Sequence, residues 1–289
     1  MGPDVTGRDP LQPGRIVRFA ILTPFAVIVS LVFALPLVWM TASAFRPPEQ
    51  ILRYLSPLSI KAFLPTSPTV ASFDELATGP FPRSVLNHLI VAGTTVALGL
   101  LVCAMAAFGL SALRFRFQGA LFAIVVVSFL IPFEAVAIPL ATLFRSWRLD
   151  NSYAGLILPG IGNGLAIFLL RQFFLGLPVD LREAARLDGA GWWTIFWSIY
   201  IRLSKPALLV AGLILFVFQW QAYLWPLLII SDQRLELAPV TLAKFLGQFN
   251  FDFGQLFAGA LIITVIPVMI LIPLQSLFTQ SISKSGLKE

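Results

Sequence analysis

Several residue types on which other protein classes depend are scarce in this sequence. There is one cysteine, Cys103, and one histidine, His88, among 289 residues. A disulfide framework needs paired cysteines, and a structural zinc site needs several Cys or His ligands, so both are excluded. The GIGNG string at residues 160–164 lacks the Lys-Ser/Thr pair of a phosphate-binding loop and lies in an apolar run. We therefore predict no catalytic residue, no metal site and no cofactor bound by this chain.

Charged residues are also few, at 12% of the chain, whereas 58% is hydrophobic and the mean hydropathy is +0.87. This composition is typical of a multi-span membrane protein and excludes a soluble globular one. The net charge of +6 could suggest a nucleic-acid partner. The basic residues, however, lie in short loops between apolar runs, so we predict no nucleic-acid partner.

The apolar runs predict an all-α membrane protein with six transmembrane helices. The predicted spans are residues 19–40, 86–113, 120–144, 153–174, 207–230 and 255–278. The predicted organisation is a tail at 1–17, a first span within 18–45, an extracytoplasmic loop at 46–84, a core domain at 85–279 and a tail at 280–289. The 46–84 loop is rich in proline, which favours turns, with one short helix near residues 73–77. Glycines and a proline interrupt the fourth span, which indicates that it faces protein or a cavity.

A charged loop at residues 178–206 separates the fourth and fifth spans. Good helix formers over residues 181–187 predict a helix that Gly189 and Gly191 end or bend. A second short helix is predicted over residues 192–203, with Pro206 opening the next apolar run. Small Ala184 and Ala185 allow another protein to approach closely. The alternative is an amphipathic helix that rests on anionic lipid headgroups.

This loop resembles the cytoplasmic loop of permease subunits of binding-protein-dependent ABC importers, in which EAA, two residues, DGA and an aromatic-rich stretch precede I-x-L-P-L and a proline. The residues at the expected spacing are Glu183, Ala184, Ala185, Asp188, Gly189, Ala190, Phe196, Ile199, Ile201, Leu203 and Pro206. Arg202 stands where the family has proline, so the turn can be looser or the charge can meet a partner or lipid phosphates.

The resemblance implies the type I (MetI-like) permease architecture with a cytoplasmic coupling helix. It implies that the ATPase-coupling residues are Glu183, Ala184, Ala185, Asp188, Gly189 and Ala190. It also implies a heterodimer with a second, homologous permease, two ATP-binding cassette ATPase subunits and an extracytoplasmic solute-binding protein. ATP and magnesium would be bound by the ATPase.

Orientation follows from the distribution of the 20 lysine and arginine residues. With the N-terminus inside, the cytoplasmic segments carry Arg8, Arg15, Arg18, Arg114, Arg116, Arg171, Arg182, Arg186, Arg202, Lys205, Lys284 and Lys288. We therefore predict a multi-pass cell-membrane protein with both termini in the cytoplasm, which also places the charged loop there.

Polar residues inside apolar spans are candidates for a substrate pathway. Glu134 lies at membrane depth, where a carboxylate faces a cavity, a partner or a substrate, or makes an interhelical hydrogen bond when protonated. Amides beside aromatic rings suit a polyhydroxylated ligand. The candidate pathway residues are Glu134, Asn163, Gln219, Trp220, Gln221 and Tyr223. Tyr223 and Trp225 could equally form an aromatic belt at the outer interface. His88 is interpreted as interfacial and Cys103 as packing.

The fifth span is similar to the carbohydrate branch of the family and its maltose-type second permease. Trp220, Leu224, Trp225, Pro226 and Leu227 match, and Gln221 replaces the usual asparagine. The resemblance implies the permease subunit of an ATP-driven importer for a sugar, an oligosaccharide or a related polyol or amino sugar. Two alternatives are an ion-coupled secondary transporter that uses Glu134, and a membrane scaffold without transport.

Overall fold

The computed structural model describes residues 13–55, 57, 59–247 and 251–285, with the backbone alone for 13–20 and 274–285. The α-helices run in the order α1 Pro13–Ala44, α2 Pro48–Ile51, α3 Ala71–Thr78, α4 Phe81–Ala112, α5 Gln118–Leu130, α6 Phe133–Ser146, α7 Tyr153–Ile157, α8 Gly164–Leu175, α9 Val179–Leu187, α10 Trp192–Ile195, α11 Lys205–Trp220, α12 Leu224–Ile229, α13 Ala238–Ala243 and α14 Phe253–Ser285. Short 3-10 segments lie at Ile60–Ala62, Leu158–Gly160 and Gln233–Leu235, and a π-helical stretch, Phe196–Ile201, continues α10. The described residues form no β-strand longer than an isolated bridge.

Three helices of the described chain, α1, α4 and α14, are long and apolar enough to cross a membrane alone. Three bent helix pairs also qualify if each pair is one span, which raises the number to six. The first helix begins at Pro13, inside the predicted 1–17 tail, most of which lies outside the described residues. At the other end, α14 continues to Ser285 and so includes residues 280–285 of the predicted C-terminal tail, whereas 286–289 lie outside the described residues.

The third and fifth spans are not the single helices that the apolar runs predict. α5 and α6 meet at an angle of 100° across Ile131 and Pro132. A residue before proline is pushed out of the helical region, and Ile131 has an extended backbone, as does Pro132. The fifth span ends its main helix at Trp220, unwinds, and restarts as α12 at Leu224. The predicted interruption of the fourth span is present as a 43° bend between Tyr153–Gly160 and α8.

α4 lies at the centre of the bundle and packs against α8 and α11. Small residues on α4 make this close approach possible. A Cβ on Gly99 would lie 3.3 Å from the Leu215 methyl carbons and 3.4 Å from the Ile161 Cα. The largest buried cluster joins these three helices to the charged loop through residues such as Ala107, Leu170 and Phe196. α1 instead packs along α14 and leaves most of its apolar surface open.

The segment between α1 and α4 folds around the fully buried side chain of Arg46. Its Nη2 donates to the carbonyl oxygens of Lys61, at 2.6 Å, and Leu64, at 3.2 Å. Its guanidinium also lies 5.6 Å from the centre of the Tyr54 ring. A buried cation needs such partners, so these carbonyls explain how a proline-rich segment keeps a fixed shape. α3 lies where the sequence predicts a short helix.

Candidate functional site

The helix α9 of the charged loop ends in a Schellman motif. The Gly189 N–H donates to the Arg186 carbonyl at 3.1 Å, and the Ala190 N–H donates to the Ala185 carbonyl at 2.9 Å. Gly189 has φ +80°, a backbone conformation that glycine adopts without a Cβ penalty. The glycine of the DGA string therefore terminates α9 and turns the chain sharply toward α10, as the sequence predicts for this position.

Two arginines, Arg171 at the end of α8 and Arg182 in the charged loop, bind the end of α4. Arg171 Nε donates to the Leu110 carbonyl at 2.9 Å, and Arg182 Nη1 donates to the Ala112 carbonyl at 3.3 Å. These carbonyls belong to the last turn of α4, where intrahelical partners are missing and the helix dipole favours cations. The Arg171 guanidinium also lies 3.9 Å from the centre of the Phe122 ring on α5.

An aromatic cluster holds the second half of the loop. The Phe108 ring on α4 lies 5.2 Å from Phe196 and 4.8 Å from Tyr200, both in the π-helical region. Tyr200 in turn meets Phe174 of α8 at 5.2 Å, nearly edge to face. Such pairs add about 0.5–1.5 kcal/mol each beyond area burial. The second half of the loop is therefore packed closely against α4 and α8.

The motif residues divide into an inner and an outer set. Ala185 and Ala190 pack against the core of the bundle. Glu183, Ala184 and Asp188 are exposed, and Leu187 at the end of α9 is 90% exposed. The ion pair between Glu183 and Arg182 is long, at 3.9 Å, and open to solvent, so it contributes little. α9 thus presents a carboxylate, a small residue and an apolar tip on one rigid support.

Arg202 stands at a sharp bend between the loop and the membrane. The segment Trp192–Ile201 and α11 meet at 87°, and Ser204 between them is fully buried. The Arg202 and Lys205 side chains are exposed, and neither makes a hydrogen bond or ion pair with a described residue. The chain therefore makes a tight corner without the family's proline and leaves two cations outside it.

Of the predicted pathway residues, Trp220 is packed inside the bundle. Its ring stacks on His88, with the ring centres 4.3 Å apart, and its Nε1 donates to the Ile263 carbonyl at 3.2 Å. The interpretation of His88 as interfacial is wrong, because its side chain is fully buried between α4 and α11. A lone histidine near the start of a span gives no sign in the sequence that it will be buried, because the ring that covers it, Trp220, lies 132 positions later.

Gln219 and Asn163 both lie near the break in the fourth span. The Gln219 side chain is 7% exposed, and its Oε1 lies 2.9 Å from the place of a Cβ on Gly160. Asn163 Oδ1 accepts from the Ala166 N–H at 2.9 Å and so caps α8. Cys103 Sγ lies 3.6 Å from both the Ile161 and Asn163 carbonyl oxygens, so this thiol also donates to the backbone at the break. The Asn163 carbonyl in addition accepts from the Ile167 N–H at 3.0 Å.

Glu134, Gln221 and Tyr223 form a second, open group. Glu134 lies in the first turn of α6, just after the 100° bend, is exposed, and has no hydrogen bond or ion pair to the part of the chain that the structure describes. Gln221 and Tyr223 are exposed where α11 unwinds. α6 packs against α12, so these residues occupy neighbouring ends of broken helices.

Trp225 does not lie in an outer aromatic belt. Its side chain is buried, and its Nε1 donates to the Gly155 carbonyl at 3.0 Å. Its ring meets Phe144 edge to face at 5.2 Å. The alternative of an interfacial Trp225 is therefore wrong, and the residue instead joins α12 to α6 and α7.

Two asparagines, missed by the sequence analysis, close the end of the bundle opposite the charged loop. Asn87 donates to the Arg234 and Glu236 carbonyls at 2.9 and 3.0 Å and accepts from the Tyr153 hydroxyl at 2.7 Å. Asn151 Oδ1 accepts from the Ser231 N–H at 2.7 Å. The sequence signal that could have indicated both residues is an asparagine near the end of an apolar run.

The segment that Asn87 and Asn151 hold carries an exposed ion pair. Asp232 accepts hydrogen bonds from the Arg234 side chain, with Nη2 at 2.9 Å. These bonds lower the pKa of the Asp232 carboxyl. Glu236 is buried and accepts from Thr241 at 3.2 Å and from Lys244.

Among the described residues, no group of three or more His, Cys, Asp or Glu side chains could hold a metal ion.

Comparison with known proteins adds three findings. Residues 99–284 match the family described as "Binding-protein-dependent transport system inner membrane component". The chain is 29% identical over 273 residues to the arabinooligosaccharides transport system permease protein AraQ of Bacillus subtilis, covering 92% of this chain and 95% of that protein. It is 33% identical over 210 residues to the sn-glycerol-3-phosphate transport system permease protein UgpE of Salmonella typhi, covering 72% and 75%.

A solved structure has the same fold. It is a chain from the crystal structure of a bacterial ABC transporter involved in the import of the acidic polysaccharide alginate. The TM-score is 0.77 at 22% sequence identity, and the match covers 92% of this chain and 97% of that chain. None of these comparisons supports the alternative of an ion-coupled secondary transporter.

Proposed function

Because the chain belongs to the family of binding-protein-dependent transport system inner membrane components, we propose that it forms half of the translocation pathway of an ATP-driven carbohydrate importer. The predicted family and the predicted fold class, an all-α importer permease, are confirmed. The chain is a multi-pass inner-membrane component of such a transporter, which also has an ATPase and a binding protein. The finer proposal is a heterodimer with a second permease, two ATPase subunits and both termini in the cytoplasm.

The outer surface of α9 carries the proposed coupling to the ATPase. Leu187 is 90% exposed at the end of a short helix that the Schellman motif and the aromatic cluster hold in place. Burial of one leucine side chain in a partner cleft would contribute about 1.5–3 kcal/mol. Ala184 permits close approach, and Glu183 supplies a directional charge. ATP and magnesium bind to the partner, and this chain supplies the docking surface and no catalytic group.

Motion of the ATPase would reach the membrane through this rigid contact. Arg182 and the aromatic cluster join the charged loop to α4 and α8. When ATP closes the ATPase pair, a force on α9 therefore moves these helices as one body. The cavity between the two permeases would then change from inward-facing to outward-facing.

The carbohydrate substrate is supported by the relatives and by the open polar group. The names of the two relatives specify arabinooligosaccharides and sn-glycerol-3-phosphate, both polyhydroxylated. Glu134, Gln221 and Tyr223 are exposed and offer acceptors, an amide and a phenol ring to hydroxyl groups. Gln219, Trp220 and Asn163 would support them from inside the bundle. The proposed pathway therefore opens toward the second permease.

Copurification with the ATPase tests the coupling surface. A tagged chain, expressed with its neighbouring transport subunits and extracted in detergent, should bring ATPase activity with it. Glu183→Lys should weaken that association about tenfold or more, since a cation replaces a carboxylate at a contact worth at least ~1.4 kcal/mol. Glu49→Lys, an equal charge change at an exposed position of α2, is the control and should copurify normally. Equal recovery of ATPase with Glu183→Lys would contradict the docking role.

A further inference from the structure

The segment Trp192–Ile201 lies at right angles to a membrane span. It meets α11 at 87°, directly before the start of that apolar helix. A helix perpendicular to a spanning helix runs along the membrane surface. Its inner face, with Ile195, Phe196 and Tyr200, is buried against the bundle. The segment is therefore fixed at the depth where α11 begins, which is the depth of the lipid headgroups.

Its outer face is aromatic, and the Trp193 and Trp197 rings contact only Phe196 of their own segment among the rings that the structure describes. Trp193 is 65% exposed and Trp197 is 50% exposed, one helical turn apart. Neither indole N–H donates a hydrogen bond to a described residue. Exposed tryptophan is typical of membrane interfaces, where the ring lies among acyl chains and the N–H reaches a headgroup. Trp147, at the end of α6, is likewise exposed at the opposite end of the bundle.

Cations flank this aromatic face. Arg202 and Lys205 follow the segment, are exposed, and have no carboxylate partner among the described residues. At the same end, Arg116 lies 5.3 Å from the ring centre of exposed Phe117. Each lysine or arginine near an anionic membrane contributes about 1 kcal/mol of attraction. The charge is thus complementary to an acidic phospholipid.

We propose that the face formed by Trp193, Trp197, Arg202 and Lys205 binds anionic phospholipid in the leaflet at the charged-loop end. The indoles insert between acyl chains, and the two cations pair with the headgroup phosphate. This anchors the loop beside α9 and leaves α9 itself free for the ATPase. The proposal rests on the membrane insertion of the chain and is independent of the carbohydrate substrate and of the Glu183 contact.

Nitroxide accessibility tests where this face lies. The one native cysteine, Cys103, is fully buried, so a cysteine introduced at the surface can be labelled alone. Labels at Trp193→Cys and Trp197→Cys are compared with Leu187→Cys in nanodiscs that hold the chain with its partner permease, before and after ATPase is added. The first two should be reached by oxygen and shielded from a water-soluble nickel chelate in both states. Leu187→Cys should be shielded only when the ATPase is bound.

Two results would overturn the proposal. If positions 193 and 197 become shielded only on ATPase addition, the face is a protein contact; if they stay open to nickel throughout, it faces water. Spin-labelled phosphatidylglycerol and phosphatidylcholine then test the headgroup. Arg202→Gln with Lys205→Gln should reduce the preference for phosphatidylglycerol about fivefold per charge. The control is Arg53→Gln with Lys61→Gln at the opposite end of the bundle, which should not change the phosphatidylglycerol preference in the leaflet at the charged-loop end. If the Arg202/Lys205 variant also keeps its preference, the two cations do not pair with the headgroup phosphate.

Discussion

Two breaks in membrane helices differ in how their polar groups are satisfied. The break at residues 161–163 is partly buried, with Gly162 exposed, and several of its polar groups find partners within the chain itself. Asn163 caps α8, the Cys103 thiol lies against the Ile161 and Asn163 carbonyl oxygens, and Gly160 and Gly164 let Gln219 and α5 approach closely. The break between α5 and α6 is open, and Glu134 beside it is exposed with no partner in the described chain.

This difference predicts which break has a structural role and which one acts in transport. Irregular backbone at membrane depth is tolerated where protein covers it or a watery cavity receives it. The first break meets the former condition within one subunit. The second break lacks such cover within this subunit, and a carboxylate such as Glu134 is costly in lipid. The break must therefore face a watery cavity or be covered by a second permease. We therefore expect substitutions at the partly buried break to change stability and substitutions at the open break to change transport.

The largest effect is expected for Gly164→Val. A Cβ at this position would lie 2.9 Å from the Val125 carbonyl oxygen and 3.1 Å from the Phe129 Cβ, so α5 and α8 must separate. Overpacking of this kind costs about 1–3 kcal/mol. The yield of monodisperse protein and its thermal midpoint in detergent should both fall. Gly162→Ala is the control, since no atom lies within 4 Å of its Cβ; equal loss in the two variants would contradict the enclosed packing.

Glu134→Ala should reduce transport while leaving the protein intact. The side chain is exposed and unpaired among the described residues, so its loss should change the free energy of unfolding by less than about 0.5 kcal/mol. Uptake in proteoliposomes should fall severalfold if Glu134 lines the pathway. Glu134→Gln removes the charge but keeps the size of the side chain and its ability to hydrogen-bond, so it shows which of the two properties transport requires. A lowered thermal midpoint with normal uptake would make Glu134 a structural residue.

Asn163→Ala should destabilise the partly buried break moderately. The substitution removes the side-chain acceptor for the Ala166 N–H at the start of α8, a loss worth about 1 kcal/mol. Thermal unfolding in detergent should therefore begin at a lower temperature. Asn163→Ser keeps a capping oxygen and should restore most of the loss. If serine and alanine behave alike, the cap does not stabilise α8.

The smallest effect is expected for Cys103→Ala. The thiol is a weak donor and lies 3.6 Å from its two carbonyl partners, so the change should cost less than about 1 kcal/mol. Cys103→Ser, a stronger donor of similar size, should match or exceed the stability of the native protein. Uptake should be unaffected in both variants. A large loss of uptake in Cys103→Ala would show that the two breaks are not independent.

The sequence predicted the charged loop well because its signals are local. The glycine of the DGA string marks a helix end through its own backbone preference, and Gly189 has the positive φ that this requires. Apolar runs likewise indicate spans without knowledge of their neighbours. The family resemblance then supplied the architecture that local signals could not.

Long-range packing is what the sequence analysis missed. His88, Trp220 and Trp225 look like interface or ligand residues until the fold brings their partners together. The 100° bend at Pro132 was hidden because proline inside a span more often kinks a helix than divides it. The burial of Arg46 was also not predicted, because the carbonyl groups that accept its hydrogen bonds come from residues 61–64, more than fourteen positions along the chain.

The most direct test of the account is solute uptake by proteoliposomes that contain the complete transporter, measured with and without ATP inside and with and without an imposed proton gradient. An ATP-driven importer should take up its carbohydrate only with ATP present, and an uncoupler should not change the rate. Uptake that proceeds without ATP, collapses with the proton gradient and disappears in Glu134→Gln would contradict the account, because Glu134 would then couple transport to protons.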